Sequence, residues 1–186
     1  VAGCGGNGGG ALVCARRLHT WGAQVQVFLT RPAESFGAVP GHQLDILNRM
    51  GLSIAQAAVT SAETPDLIID GLIGYSLKGA PRGPAADLIT WANAQPAPIL
   101  ALDAPSGVDT TSGAVFDPTI KAAATMTLAL PKAGLRAPGV SQQTGELYLA
   151  DISVPPSLYA GPALALQIDY IFAKADKLLV QQTSLC

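Results

Sequence analysis

The chain has 186 residues, 49% of them hydrophobic and 13% charged, with a formal net charge of −2. That length and apolar content predict one ordered domain with a sizeable core and exclude a disordered chain. No basic run and no stretch of about 18 unbroken apolar residues occurs, which argues against a nucleic-acid partner and against a membrane span.

The first ten residues hold six glycines: Gly3, Gly5, Gly6, Gly8, Gly9 and Gly10. Val1-Ala2 before them reads as the tail of a strand with no initiator Met, so an N-terminal segment, and any targeting signal with it, is expected to be missing from this sequence. The apolar run that follows predicts a helix over 9–21, with Leu12, Val13, Leu18 and Trp21 at helical spacing and Gly22 closing it. A strand follows over 25–29 and a loop over 30–40. A second helix covers 41–50, with Leu44, Leu47 and Met50 on one apolar face. Residues 52–59 read as a short strand and then a short helix or loop. A buried strand over 66–70 ends in Asp70, and a glycine-containing loop covers 71–81. A helix over 84–94 starts with Pro84 in its first turn. A second buried strand, 98–103, ends in Asp103. Then come a loop over 104–118, a strand over 124–130, a loop over 131–143 and a strand over 145–150. The last residues, 160–186, carry the weakest signal; a terminal helix over 169–180 is the expectation there.

Short apolar strands alternate with amphipathic helices. This predicts a three-layer α/β/α Rossmann-like sandwich with a mostly parallel sheet, a single domain over 1–186. Ligands bind at the carboxyl ends of such strands. The glycine stretch, Asp70 and Asp103 all fall there.

A glycine-rich turn opening a helix is a phosphate cradle: backbone N–H groups close on the anion and the helix start adds partial positive charge. Gly3-x-Gly5-x-x-Gly8 satisfies the dinucleotide fingerprint in form, but that fingerprint also expects an acid after the next strand. Here the strand ends at Thr30-Arg31, which disfavours an ordinary NAD-dependent dehydrogenase. Arg31 suits either a 2′-phosphate or solvent. Asp103, at the rim of a buried sheet, suits general acid/base work or a turn cap before Pro105-Ser106-Gly107. Asp70, the Asn7 amide and Ser106 are oxygen donors near strand ends. They suit a weakly held monovalent cation or plain hydrogen bonds to loop backbone. His19 and His42 pair with no acid or nucleophile in sequence. Ser106 lacks the Gly-x-Ser-x-Gly setting of a hydrolase. Cys4, Cys14 and Cys186 are odd in number and without ligand spacing, which reads as reduced thiols in a cytoplasmic-type compartment.

Four motifs in one order carry a family resemblance. Gly3-Cys-Gly-Gly-Asn7-Gly-Gly-Gly-Ala11, then Leu12-Val-Cys-Ala-Arg16, resembles Gly-x-Gly-Asn-Asn-Gly-Gly-Asp-Gly followed by (Leu/Tyr)-Val-x-Ala-Arg. Asp66-Leu-Ile-Ile-Asp70-Gly-Leu-Ile-Gly74 resembles Asp-Leu-Ile-Val-Asp-Ala-Leu-(Leu/Phe)-Gly. Leu102-Asp-Ala-Pro-Ser-Gly107 resembles Leu-Asp-Ile-Pro-Ser-Gly, with Asp109 and Gly113 in register. Thr127-Leu-Ala-Leu-Pro-Lys132-Ala-Gly134 resembles Thr-x-x-x-x-Lys-x-Gly, and Thr144-Gly145 a later Thr-Gly. These are the marks of the NAD(P)H-hydrate epimerases, the YjeF N-terminal domain family.

The resemblance implies a homodimer that interconverts the R and S epimers of hydrated NADH and NADPH (NADHX and NADPHX), sometimes with a dehydratase partner. It implies K⁺ held by Asn7, Asp70 and Ser106. It places substrate on Gly6, Asn7, Gly8, Gly9 and Gly10, on the loop Gly74, Tyr75, Ser76, Leu77, Lys78, Gly79 and Ala80, and on Asp103, the implied catalytic residue. Lys132 is implied to contact phosphate, to orient a carboxylate or to lie at the surface. Gly6 stands where the family has Asn, and Gly10 where it has Asp. Those two glycines favour the alternative of a non-catalytic module that binds a nucleotide metabolite or dimerises. The retained Asp103, Asp70 and Ser106 favour the enzyme.

Overall fold

Backbone pairing at Val1 and Ala2 joins the two halves of the sheet. Ala2 N–H donates to the Phe28 carbonyl at 2.9 Å, and Thr30 N–H to the Ala2 carbonyl at 3.1 Å. On the other side Gly3 N–H donates to Gly71 at 3.1 Å, and Gly71 N–H to Val1 at 3.0 Å. This short lane runs parallel to both neighbours. The computed structural model describes residues 1–56 and 64–180. Positions 57–59 of the ambiguous stretch, and Cys186, lie outside the described residues.

The strands are β1 (Gln26–Leu29), β2 (Ser53–Gln56), β3 (Ile68–Asp70), β4 (Ile99–Leu102), β5 (Ala124–Leu128), β6 (Glu146–Ala150) and β7 (Lys177–Leu179). Read across the sheet, the order is β2, β1, the Val1–Ala2 lane, β3, β4, β5, β6, β7. Every pairing is parallel except β6 with β7. The chain moves outward one way from the lane to β1 and β2, then returns to build β3 to β7 on the other side. The reversal between the lane and β3 leaves a crevice above the carboxyl ends of those strands.

Alternation along the strands feeds two cores. Ala2, Val27 and Leu29 pack with Leu12, Leu44 and Leu47 from α1 (Gly6–Thr20) and α2 (Ala38–Arg49). Phe28, with Val1 against it, packs with Leu88, Ile89 and Ala92 from α3 (Pro84–Asn93). Helices therefore cover opposite faces of the parallel sheet, as the sequence predicted, because right-handed crossovers in opposite directions place them so. No helix among the described residues is long and apolar enough to cross a membrane.

The local expectations need five corrections. Helix α1 begins at Gly6, not at residue 9, so the glycine stretch is its first turn. Its buried residues are Gly8, Gly9, Ala11, Leu12 and Ala15, while Trp21 is 71% exposed beneath the Arg17 guanidinium. Helix α2 starts at Ala38, with Pro40 tolerated in the first turn, where its missing N–H is not needed. Met50 caps its end and is exposed, not on the apolar face. The loop over 131–143 holds a 3-10 turn, Ala133–Arg136, and α4 (Ser141–Thr144). Finally, 169–180 is not a helix. After α5 (Pro156–Ala160) the chain returns as β7, and Val180 N–H donates to the Leu147 carbonyl at 2.8 Å. The open edge of β6 supplied the ladder partners, which a lone helix would have left unpaired.

Candidate active site

The six glycines divide by what a side chain would meet. A Cβ on Gly8 would lie 1.7 Å from the Gly3 carbonyl oxygen, and one on Gly3 would lie 2.0 Å from the Leu72 oxygen. These two let α1 press its backbone onto the lane and onto the chain leaving β3. Gly9 sits in ordinary contact with Pro40. Gly5, Gly6 and Gly10 face open space. Gly5 is the N-cap of α1 in an extended conformation, and no side chain caps this end. The first N–H groups of the helix have no partner within it, which is the setting that receives an anion.

Two carboxylates stand at the ends of neighbouring strands. Asp70 ends β3 and is fully buried. Its Oδ1 accepts from Leu72 N–H at 3.1 Å and from the Ser106 hydroxyl at 2.7 Å; its Oδ2 accepts from Ser106 N–H at 2.8 Å. The Ser106 oxygen in turn accepts from Ile73 N–H at 2.9 Å. Burial pushes the Asp70 carboxyl above the usual carboxylate range, although the Ser106 and Leu72 hydrogen bonds pull the other way. The motif Pro105-Ser106-Gly107 thus ties the end of β4 to the end of β3.

Asp103 follows β4 and is buried to within a few per cent. Its backbone sits at φ +64, in the left-handed region that Asp tolerates better than most residues. Asp103 N–H donates to the Met126 carbonyl at 2.8 Å, and Ala104 N–H to Leu102 at 2.8 Å, so the strand ends in a tight turn. The Lys132 ammonium lies 2.6 Å from Asp103 Oδ1. The same ammonium donates to Thr127 Oγ1 at 2.9 Å and to the Leu128 carbonyl at 3.0 Å. An ammonium has three protons, and all three are engaged. Of the roles open to Lys132, the geometry selects orientation of the carboxylate. Thr127, buried on β5, was not singled out as an anchor; the i, i+5 spacing of Thr127 and Lys132 was the available signal.

Asp103 Oδ2 points elsewhere. A Cβ built on Gly74 would lie 3.1 Å from it and 3.2 Å from both Cβ and Cγ of Asn7. Gly74 therefore brings the catalytic candidate and the Asn7 amide to one spot. Asn7 Nδ2 is buried there with no hydrogen-bond partner among the described residues. Beyond Gly74 the loop turns outward. Tyr75, Ser76, Lys78 and Ala80 are exposed, and Leu77 and Gly79 are half-buried.

The remaining expectations divide cleanly. His19 and His42 are exposed, one in the last turn of α1 and one on α2, and neither forms an ion pair among the described residues. Cys4 and Cys14 are half-buried, and burial pushes the Cys14 thiol up, away from nucleophilic use. Asp109 accepts from Thr111 and Ser112 N–H groups and serves its own turn. Among the described residues no three His, Cys, Asp or Glu side chains cluster as a metal site. A cavity of about 860 Å³ lies at the amino ends of β1 to β3, under Leu18, Gln26, Phe28 and Ile68, and brings together none of the site residues.

The model of the YjeF-related protein N-terminus matches residues 1–134, which contain Asn7, Asp70, Asp103, Ser106 and Lys132. The chain belongs to that family. An NAD(P)H-hydrate epimerase of Dehalogenimonas lykanthroporepellens is 40% identical over 164 residues, 88% of this chain and 65% of that protein. Another NAD(P)H-hydrate epimerase, from Truepera radiovictrix, is 35% identical over 86% of this chain and 70% of its own length. A bifunctional NAD(P)H-hydrate repair enzyme Nnr of Salinibacter ruber is 34% identical, and the chain spans only 32% of it. The crystal structure of yeast ynu0 has the same fold, with a TM-score of 0.74 at 24% identity over 96% of this chain and 75% of that one.

Proposed function

We propose that this domain is an NAD(P)H-hydrate epimerase, interconverting the R and S forms of NADHX and NADPHX. One observation carries the reading: Asp103 has one oxygen fixed by Lys132 and the other facing the space above Gly74, beside Asn7. A single carboxyl with a free oxygen meets the needs of this reaction. In its acid form Asp103 gives a proton to the hydroxyl on the hydrated carbon. That C–O bond breaks, water leaves, and the lone pair of the ring nitrogen stabilises the resulting cation. Water then adds from the opposite face, the new C–O bond forms, and the Asp103 carboxylate takes the released proton. No electrons are gained or lost. Lys132, tied to Thr127 and Leu128, keeps Oδ2 aimed at the reacting carbon throughout. The exposed N–H groups at the start of α1, with Gly5, Gly6 and Gly10 open above them, receive the diphosphate.

The residues present fit a monovalent cation. Asp70 is a buried carboxylate whose three hydrogen bonds all come from neutral groups; of the nearby Asn7 amide only the oxygen would take a cation, since its buried, unpartnered Nδ2 is a donor. K⁺ held by Asn7, Asp70 and Ser106 would offset the Asp70 charge and the phosphate charge. A homodimer, and a dehydratase acting alongside as in the bifunctional relatives, complete the reading.

Epimerisation of purified R-NADHX, followed by chromatography, tests it. Interconversion above the spontaneous rate is expected, with a loss of about 10²–10⁴-fold in Asp103→Ala. Ligand binding without acceleration would instead assign a module that keeps the pocket and lacks the reaction.

A further inference from the structure

We infer that Arg31 is the residue that reads the adenosine end of the ligand, and that it selects for a 2′-phosphate. The inference rests on the proposed substrate and concerns the half of it that Asp103 does not touch. Ala2 pairs with Leu29, and Thr30 N–H reaches the Ala2 carbonyl at 3.1 Å. In that parallel register Thr30 is level with Gly3, and Arg31 with Cys4. Neighbouring strands lie about 4.8 Å apart, so Arg31 leaves β1 one lane from where the chain turns into α1.

The other wall agrees. Pro40, in the first turn of α2, lies 3.4 Å from the Cβ position of Gly9. Pro40, where the segment after Arg31 ends, therefore stands on one side of the first turn of α1, and the chain leaving β3 stands on the other. A dinucleotide has one nucleoside on each side of its diphosphate. With the hydrated ring at Asp103, beyond β3, the adenosine runs toward the end of β1. In dinucleotide folds, an acid at the end of this strand takes the ribose hydroxyls, while an arginine accommodates a 2′-phosphate. Here Thr30-Arg31-Pro32 occupies the place and no acid stands in it; the first carboxylate is Glu34, on the 3-10 turn Ala33–Ser35. Arg31 is exposed and makes no ion pair among the described residues. Its guanidinium is free for a bidentate contact with phosphate.

The test compares NADPHX with NADHX in wild type, Arg31→Ala and Arg31→Asp, beside equilibrium binding of NADP⁺ and NAD⁺ by calorimetry. Wild type is expected to favour the 2′-phosphorylated member of each pair. Arg31→Ala should lower that preference about tenfold, through KM and not kcat, and Arg31→Asp should reverse it. Equal affinity of wild type for both members, or a preference untouched by Arg31→Ala, overturns the inference. The binding arm needs no turnover. Selective loss of NADP⁺ binding in a protein that does not epimerise would uphold Arg31 and sink the epimerase reading. An active enzyme indifferent to the 2′-phosphate would do the reverse.

Discussion

Asp70 and Asp103 make an instructive pair, because the same residue type ends two adjacent parallel strands and meets two different fates. Around Asp70, the Ser106 and Leu72 donors occupy both carboxylate oxygens, so the group knits β3 to the loop after β4. Around Asp103, Lys132 takes one oxygen and Gly74 leaves room at the other. The first arrangement engages both oxygens within the fold; the second leaves one oxygen without a partner. Burial does not separate them, for both are buried. The difference lies in the partners: three neutral donors on Asp70, and one ammonium on one oxygen of Asp103.

Substitutions can break this contrast in order of size. Asp103→Ala should cut epimerisation about 10²–10⁴-fold and also lower the melting temperature, since Ala is strained at φ +64 and leaves Lys132 without its carboxylate; Asp103→Asn, which tolerates that backbone, should lose the activity with the smaller loss of stability. Lys132→Met should cost roughly 10–100-fold in kcat, because the carboxylate loses its orientation and not its chemistry; Lys132→Arg should restore part of it in the same assay. A Lys132→Met enzyme at full rate would show that Asp103 needs no partner.

Asp70→Ala should act the other way. It leaves Ser106 and Leu72 donors buried without an acceptor, at a cost of about 3 kcal/mol in denaturant unfolding. The pH dependence sharpens this. The folded protein holds the Asp70 proton more tightly than the unfolded chain, so its stabilising contribution is present below the ordinary carboxylate value, about 3.9. It is lost as pH rises through the raised folded value. Melting of wild type minus Asp70→Asn should therefore fall as pH rises across that window, and K⁺ should shrink the fall. A flat difference would mean that the buried carboxylate is already neutralised.

The smallest effect concerns Gly10. Gly10→Ala, with nothing within 4 Å of the new methyl, should raise stability by about 1 kcal/mol as a helix-interior replacement. In contrast, Gly8→Ala meets a backbone oxygen and should yield little folded protein.

The sequence by itself determined the layering and the direction of the sheet, because strand and helix periodicities are local and the short apolar runs 66–70 and 98–103 admit little else. It also placed Asp70, Asp103 and the glycine stretch at strand ends, where parallel sheets bind ligands. Only the tertiary structure decided which glycines serve packing, since the close approach of Gly3 to Leu72 is a contact between distant segments. It decided that Lys132 spends its three protons on Thr127, Leu128 and Asp103, which joins the stretch 127–132 to a carboxylate some thirty residues earlier in the chain. And it turned the expected terminal helix into β7, because the unpaired edge of β6 offered hydrogen-bond partners that no local propensity can register.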